Sequence, residues 1–289
     1  MTITRLLHLS DPHFGTVQAP VAEALVRLAA SLRPTVLVLS GDITQRAQAD
    51  EFAEAKAFCQ RLNIAPQLVV PGNHDIPLFN LPGRLLNPYK NYLAHFGPAL
   101  ESTVQTAGCL VISVNTTRWW RHKNGDVAQA QIDRVAAQLK QECQQQGQQP
   151  SRRLRVVVVH QPVHVMRAED EHDRLNNWEA AVRAWAAAGA DVVLGGHIHL
   201  PDVCELSAAM APRPPLARHR WCVQAGTALS SRVRREAPNS VNLLRFDATA
   251  QPPLCQVECW DFVCAMPGGA GEFEQVRVTE LWLDDTPAD

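Results

Sequence analysis

Through the first two hundred residues the apolar positions alternate between two kinds of pattern. Short continuous runs at residues 6–9, 36–39, 68–70, 110–114, 155–159 and 192–194 have the length and composition of buried strands. Between them the apolar spacing changes to three and four. Val21, Leu25, Leu28, Ala29 and Leu32 share one face of a helix expected over residues 20–32, and Phe52, Ala55, Cys59 and Leu62 share one face over 50–62. Further helices are expected at 87–96 (after a Pro/Gly-rich loop), at 128–146 (closed by Gly147 and Pro150) and at 178–188. Beyond residue 200 the helical period stops, and 221–224, 241–246, 256–262 and 275–283 read as largely alternating strands. Strand–helix units followed by a run of strands predict an α/β domain completed by an extra sheet. No repeat or linker divides the chain, so residues 1–283 are expected to form one domain, with 284–289 as a polar, frayed tail.

Composition narrows the function classes. The chain has 289 residues, 46% of them hydrophobic and 19% charged, which excludes a disordered or fibrous chain. Its net charge is −2, without the basic excess of a dedicated nucleic-acid binder. No apolar stretch approaches the roughly 18 residues of a membrane span. The opening residues lack the apolar core and cleavage site of a secretory leader. The 8 cysteines contain no Cys-x-x-Cys pair, and the spacing of Cys255, Cys259 and Cys264 fits no common zinc motif. Buried free thiols in a reducing cytoplasm are therefore expected.

Five polar motifs each follow an expected strand: Asp11-Pro12-His13, Gly41-Asp42, Gly72-Asn73-His74-Asp75, His160 and Gly196-His197-Ile198-His199. In an α/β sheet, ligands bind beyond the carboxyl ends of the strands, so residues distant in sequence converge there. The glycines before Asp42, Asn73 and His197 suit tight turns and close backbone approach. Carboxylates, an amide oxygen and imidazoles without a thiolate suit Mn²⁺, Fe, Zn²⁺ or Co²⁺. Two such ions about 3.5–4 Å apart need a bridging carboxylate, for which Asp42 is central in the order. Water between two cations loses a proton easily, and hydroxide is a nucleophile suited to in-line attack on phosphorus.

The ordered set D-x-H, G-D, G-N-H-D, H and G-H-x-H resembles the signature of the calcineurin-like metallophosphoesterases, with no motif residue departing from it. The opening Ser10-Asp11-Pro12-His13-Phe14-Gly15 is most similar to their class III cyclic-nucleotide phosphodiesterase and glycerophosphodiesterase branch. The resemblance implies a four-layer α/β/β/α fold, a two-sheet β-sandwich flanked by helices. It implies that Asp11, His13, Asp42 and His199 hold one metal ion, and that Asp42, Asn73, His160 and His197 hold the other. Mn or Fe would be the preferred ions, with Zn or Co compatible. His74 would assist the departing oxygen, and Asp75 would orient His74. The implied reaction is hydrolysis of a small phosphodiester, a 3′,5′-cyclic nucleotide first among the substrates. Glycerophosphodiesters, a nucleotide-linked pyrophosphate of a sugar lipid and oligonucleotide ends share the same chemistry. A non-catalytic protein-binding scaffold is the rival from another class. The sequence leaves open whether the chain forms a homo-oligomer.

Weaker features stand apart from this set. Arg152-Arg153 and Arg232-Val233-Arg234-Arg235 could meet phosphates, although charge runs are commonly solvated surface. Trp119-Trp120 could stack a base or pack on its own loop. His164, in the loop after His160, could reach substrate. His8, His95, His122, His172 and His219 read as structural.

Overall fold

The structure is a computed structural model that describes residues 3–145, 152–210, 216, 219–234, 237–250, 253–266 and 269–283. Two mixed six-stranded sheets pack face to face with helices on both outer surfaces. The first sheet is built on parallel strands β1 (Thr4–Leu9), β2 (Val36–Leu39) and β3 (Gln67–Val69), joined by helices α1 (Ala19–Leu32) and α2 (Ala49–Arg61). The helices α3 (Leu81–Leu86) and α4 (Lys90–Phe96) lead to the second sheet. There the edge strand β4 (Thr103–Gln105) precedes β5 (Cys109–Ser113), β6 (Leu154–Val158) and β7 (Val192–Gly195), which run parallel, with α5 (Gln129–Gln145) and α6 (Trp178–Ala187) between them. The hairpin partner β8 (Asp202–Glu205) is followed by the short helix α7 (Leu206–Ala209) and by β9 (Trp221–Gln224). Last come β10 (Ser240–Asp247), β11 (Leu254–Cys264) and β12 (Gly271–Trp282).

Strand alternation explains the layers. Leu6, Val36 and Val38 face Val156, Val158 and Leu194 across the sandwich, whereas Leu7, Leu37 and Leu39 turn outward onto α1 and α2. In the second sheet Val157 and Val159 turn outward onto α5 and α6. Burial on both faces is why these strands read as unbroken apolar runs.

The late strands do not form an extra sheet of their own. β9 pairs in parallel with β7, while β10 pairs antiparallel with β1 and carries β11 and β12 outward, giving the order β12-β11-β10-β1-β2-β3. The loop before α4 also holds α3, and that helix begins at Lys90 rather than at 87. Gln146, Gly147, Pro150, Arg235 and the 284–289 tail lie outside the described residues. All eight cysteines are free, six of them buried. No helix among the described residues is long and apolar enough to cross a membrane.

Candidate metal centre

Every expected ligand follows the carboxyl end of a parallel strand. Asp11 and His13 follow β1, Asp42 follows β2, and Asn73 and His74 lie on a 3₁₀ turn after β3. His160 follows β6, and His197 and His199 follow β7. The site therefore draws on both sheets at one end of the sandwich. Gly41, with φ +103°, lets the chain turn directly into Asp42, and a Cβ there would strike the His160 ring. At Gly196 a side chain would overlap Ser10 and the Asp11 carboxylate. Asp11, His13, Asp42, His197 and His199 all hold positive φ, between 44° and 76°. A left-handed backbone at such residues costs roughly 1–2 kcal/mol each, a strain the surrounding fold imposes where the ligands must converge.

Hydrogen bonds fix the imidazole tautomers. His160 Nδ1 donates to the Ser40 carbonyl at 2.8 Å, and His199 Nδ1 donates to the Arg232 carbonyl. Carbonyls only accept, so Nδ1 of each ring keeps its proton and Nε2 is the nitrogen left to ligate a cation. His160 Nε2 points at Asp42 Oδ1 and Asn73 Oδ1, 3.2 Å from each. His199 Nε2 lies 3.3 Å from Asp11 Oδ1 and 3.1 Å from His13 Nε2. Nitrogen and oxygen ligand atoms converging in a buried space favour a positive charge among them, and carbonyl-anchored rings are the usual form of metal-ligating histidines. The Asp42 carboxylate serves both sides: Oδ1 faces His160, and Oδ2 lies 3.9 Å from His13 Nε2. Ligand atoms of Asp11, His13 and His199 form one compact group, and those of Asp42, His160 and His197 another. The residues present thus fit a pair of divalent metals.

Electrostatics agree with that fit. Burial works against ionising Asp11 and Asp42, yet His199 beside the first and His160 beside the second hold both carboxyls below the usual range. Burial would lower His160, but Asp42 lifts it to about 9. Positive charge is thus favoured where a cation would sit. His13, buried among other imidazoles, falls to about 3.

The outer residues depart from expectation in several places. Asp75 does not touch the His74 ring. Its carboxylate accepts from the Gly72, Ile43 and Thr44 amides and from the Thr44 hydroxyl, at 2.8–3.1 Å, tying the β2 loop to the β3 loop. Desolvation, with Asp42 next, pushes its pKa up to about 7 despite those bonds. His74 is oriented instead by the Gln45 carbonyl, which accepts from Nδ1 at 3.0 Å, while Arg232 Nη1 donates to Nε2 at 3.1 Å. Arg232 also donates to Gln45 Oε1 at 3.0 Å, and no carboxylate among the described residues pairs with it. Its neighbour Arg234 is instead neutralised by Asp170 and Glu169.

Arg152 and Arg153 lie at the far end of the second sheet, on Asp191 and Glu142. Trp119 and Trp120 pack edge-to-face on each other, 5.5 Å between centroids. His164 groups with Asp202 and Cys204, apart from the cluster. Asp173, whose Oδ1 lies 3.5 Å from His197 Nε2, carries no signal in the sequence, and His122, which reads as structural there, instead lines with His74 a cavity of about 400 Å³. Leu78 and Phe79 line that cavity, and with Leu81, Leu85 and Leu86 they expose an apolar rim.

A family model described as calcineurin-like phosphoesterase matches residues 4–201, from the first strand to the loop past His199. The chain belongs to the calcineurin-like phosphoesterases. It is thus a metal-dependent phosphoester hydrolase by family, for which a dinuclear divalent-metal site is expected. Among solved structures it is similar to a dimetal phosphatase from Danio rerio, with 12% identity, a TM-score of 0.63, and 98% of this chain and 100% of that one covered. A purple acid phosphatase from yellow lupin seeds gives 11% identity and a TM-score of 0.70 over 98% of this chain and 54% of the other. GAP50, the anchor in the inner membrane complex of Plasmodium, gives 11% identity and a TM-score of 0.60 over 100% and 91%. At such identities the likeness concerns the fold. No curated protein matches the chain in sequence.

Proposed function

We propose that the chain is a dinuclear phosphodiesterase, with Asp11, His13, Asp42 and His199 on one ion and Asp42, Asn73, His160 and His197 on the other. The observation that carries this reading is the pair of ligand-atom clusters joined through the two oxygens of Asp42. When bound, the two cations would neutralise charge on a phosphoryl oxygen and lower the pKa of the attacking water. Mn²⁺ or iron suits the all-nitrogen-and-oxygen set, and Zn²⁺ and Co²⁺ are compatible. Arg232, a cation that no carboxylate among the described residues pairs with, would receive a second phosphoryl oxygen. His74 keeps its Nδ1 proton on Gln45, so Nε2 is the atom that can exchange a proton with substrate. That exchange requires Arg232 to leave Nε2 for the phosphoryl group, which couples substrate binding to the freeing of His74. Asp75 acts as a brace between loops. The cavity beside His74 takes the organic part of the diester, a 3′,5′-cyclic nucleotide being the first substrate to test. A reducing cytoplasm is the compartment that fits eight free thiols.

A second reading rests on the apolar rim at Leu78, Phe79, Leu81, Leu85 and Leu86. Such a rim favours a diester or pyrophosphate bearing a lipid substituent. Hydrolysis assays on the Mn²⁺-loaded protein decide among cyclic nucleotides, glycerophosphodiesters, nucleotide-linked sugar lipids and single-stranded DNA. Turnover of a diester with two tightly bound ions per chain is expected. A protein holding only one, or hydrolysing monoesters alone, overturns the proposal.

A further inference from the structure

A second group of ligand side chains lies outside the phosphoesterase cluster. His164, Asp202 and Cys204 each offer one donor atom, all within 4.8 Å of one another. Asp202 and Cys204 are two apart on β8, so both side chains stand on the same face of an edge strand. His164 reaches them from the loop after β6, beyond His160. Among the described residues, none hydrogen-bonds or ion-pairs with the Asp202 carboxylate or the Cys204 thiol, and His164 Nδ1 is buried without a partner. Three ligand atoms of different chemistry thus lie close together. The nearest cation, Arg174, is already engaged by Glu171, by the Val163 carbonyl and by the Trp178 ring.

A thiolate, an imidazole and a carboxylate form a set that the borderline-soft Zn²⁺ prefers over Mn²⁺ or Mg²⁺. Two anionic donors balance its charge. Ligands of a tetrahedral zinc, with bonds of about 2.0–2.3 Å, stand roughly 3.3–3.8 Å apart, which side-chain rotation reaches from the present spacing. All three residues are partly exposed, so an ion can enter from solvent. We propose that His164, Asp202 and Cys204 form a third cation site, selective for Zn²⁺ and separate from the dinuclear centre. Zn²⁺ takes the place of the thiol proton, which goes to solvent, and no electron is transferred. Without the ion, burial and the adjacent Asp202 carboxylate push the Cys204 thiol up to about 12.

Cobalt tests the site, because a thiolate on Co²⁺ gives a near-ultraviolet charge-transfer band that nitrogen and oxygen ligands lack. The full-length, Mn²⁺-loaded protein is titrated with Co²⁺ and the band is followed. One Co²⁺ per chain with a band, displaced by Zn²⁺, is the expected result. Cys204→Ser removes the band while its circular dichroism spectrum and unfolding midpoint stay those of wild type and report that the variant is folded. His164→Ala and Asp202→Asn each weaken apparent affinity by at least about 10-fold. A wild-type protein without the band, a band surviving in Cys204→Ser, or a His164→Ala titration that superimposes on wild type overturns the site. Hydrolysis is not the readout, so the phosphodiesterase proposal can fail without affecting this one.

Discussion

The second sheet carries buried charge at both of its ends, and the two ends are built on opposite principles. At the amino ends of β6 and β7, Asp191 is fully buried and accepts four hydrogen bonds, three from Arg155 and one from Arg152. Burial would raise its pKa, but Arg155, with Arg152 next, holds it below the usual carboxylate range. That carboxylate is closed by the protein itself, with two guanidiniums holding it. At the carboxyl ends, imidazole nitrogens of His160, His197 and His199 turn toward the carboxylates of Asp11 and Asp42, on a strained backbone. That cluster is closed only when cations enter. A folded chain tolerates either arrangement, but only the second gathers nitrogen and oxygen ligands that suit a cation from outside.

The comparison breaks first at Asp42. Asp42→Ala should remove both ions, whereas His13→Ala mainly empties one side. Elemental analysis after reconstitution reads this, and kcat/KM on a phosphodiester should fall by at least about 10³-fold. Asp191→Ala is the counterpart at the other end: it leaves buried guanidiniums unpaired, costs about 3–5 kcal/mol of unfolding free energy and leaves metal content intact in the folded fraction. Denaturant unfolding of the two variants separates the roles, and equal destabilisation would erase the distinction.

A third test probes His74. His74→Ala should bind both ions and lose about 10²–10⁴-fold on an alkyl phosphodiester, and distinctly less on bis(p-nitrophenyl) phosphate, whose leaving group needs no proton. Equal losses would assign His74, like Arg232, to phosphoryl charge alone. The pH dependence of stability sharpens the closed end. Because the folded-state pKa of Asp191 is depressed, its contribution is fully present above about 3.9 and is lost as pH falls through the lower folded value. Asp191→Asn should therefore be less stable near neutrality and show a shallower acid limb in urea unfolding. The smallest effect belongs to the strained backbone. His197→Gly should stabilise the metal-free protein by about 1 kcal/mol while weakening metal binding, and calorimetry with and without metal compares the two.

Much of the open end was legible in the sequence because each ligand follows an apolar run, and a run buried on both faces is conspicuous. What was missed depends on partners far apart in the chain. The carbonyls of Ser40, Gln45 and Arg232 orient three imidazoles, yet a backbone carbonyl leaves no mark in a sequence. Asp75 appeared to serve His74 because the two are adjacent, but on a 3₁₀ turn successive side chains diverge, and its carboxylate turns back to the β2 loop. The edge strands β4 and β8 are short and lack strong alternation, and the division of the late strands between two sheets is set by long-range pairing. Helices α1, α2 and α6 were clear because each buries a single face, with Val21, Leu25 and Leu28, or Phe52, Ala55 and Cys59, recurring at helical spacing.

Each of the two ligand groups takes members from both sheets: Asp11 and His13 with His199, and Asp42 with His160 and His197. The distance between the ligands of one sheet and those of the other is consequently set by an apolar layer of Leu6, Val36, Val38, Val156, Val158 and Leu194, none of which offers a ligand atom. That layer works as a gauge block: its thickness holds the two jaws of the site at a fixed opening. Shaving a methyl from it loosens the tolerance of the jaws, so metal affinity becomes a caliper reading of hydrophobic packing.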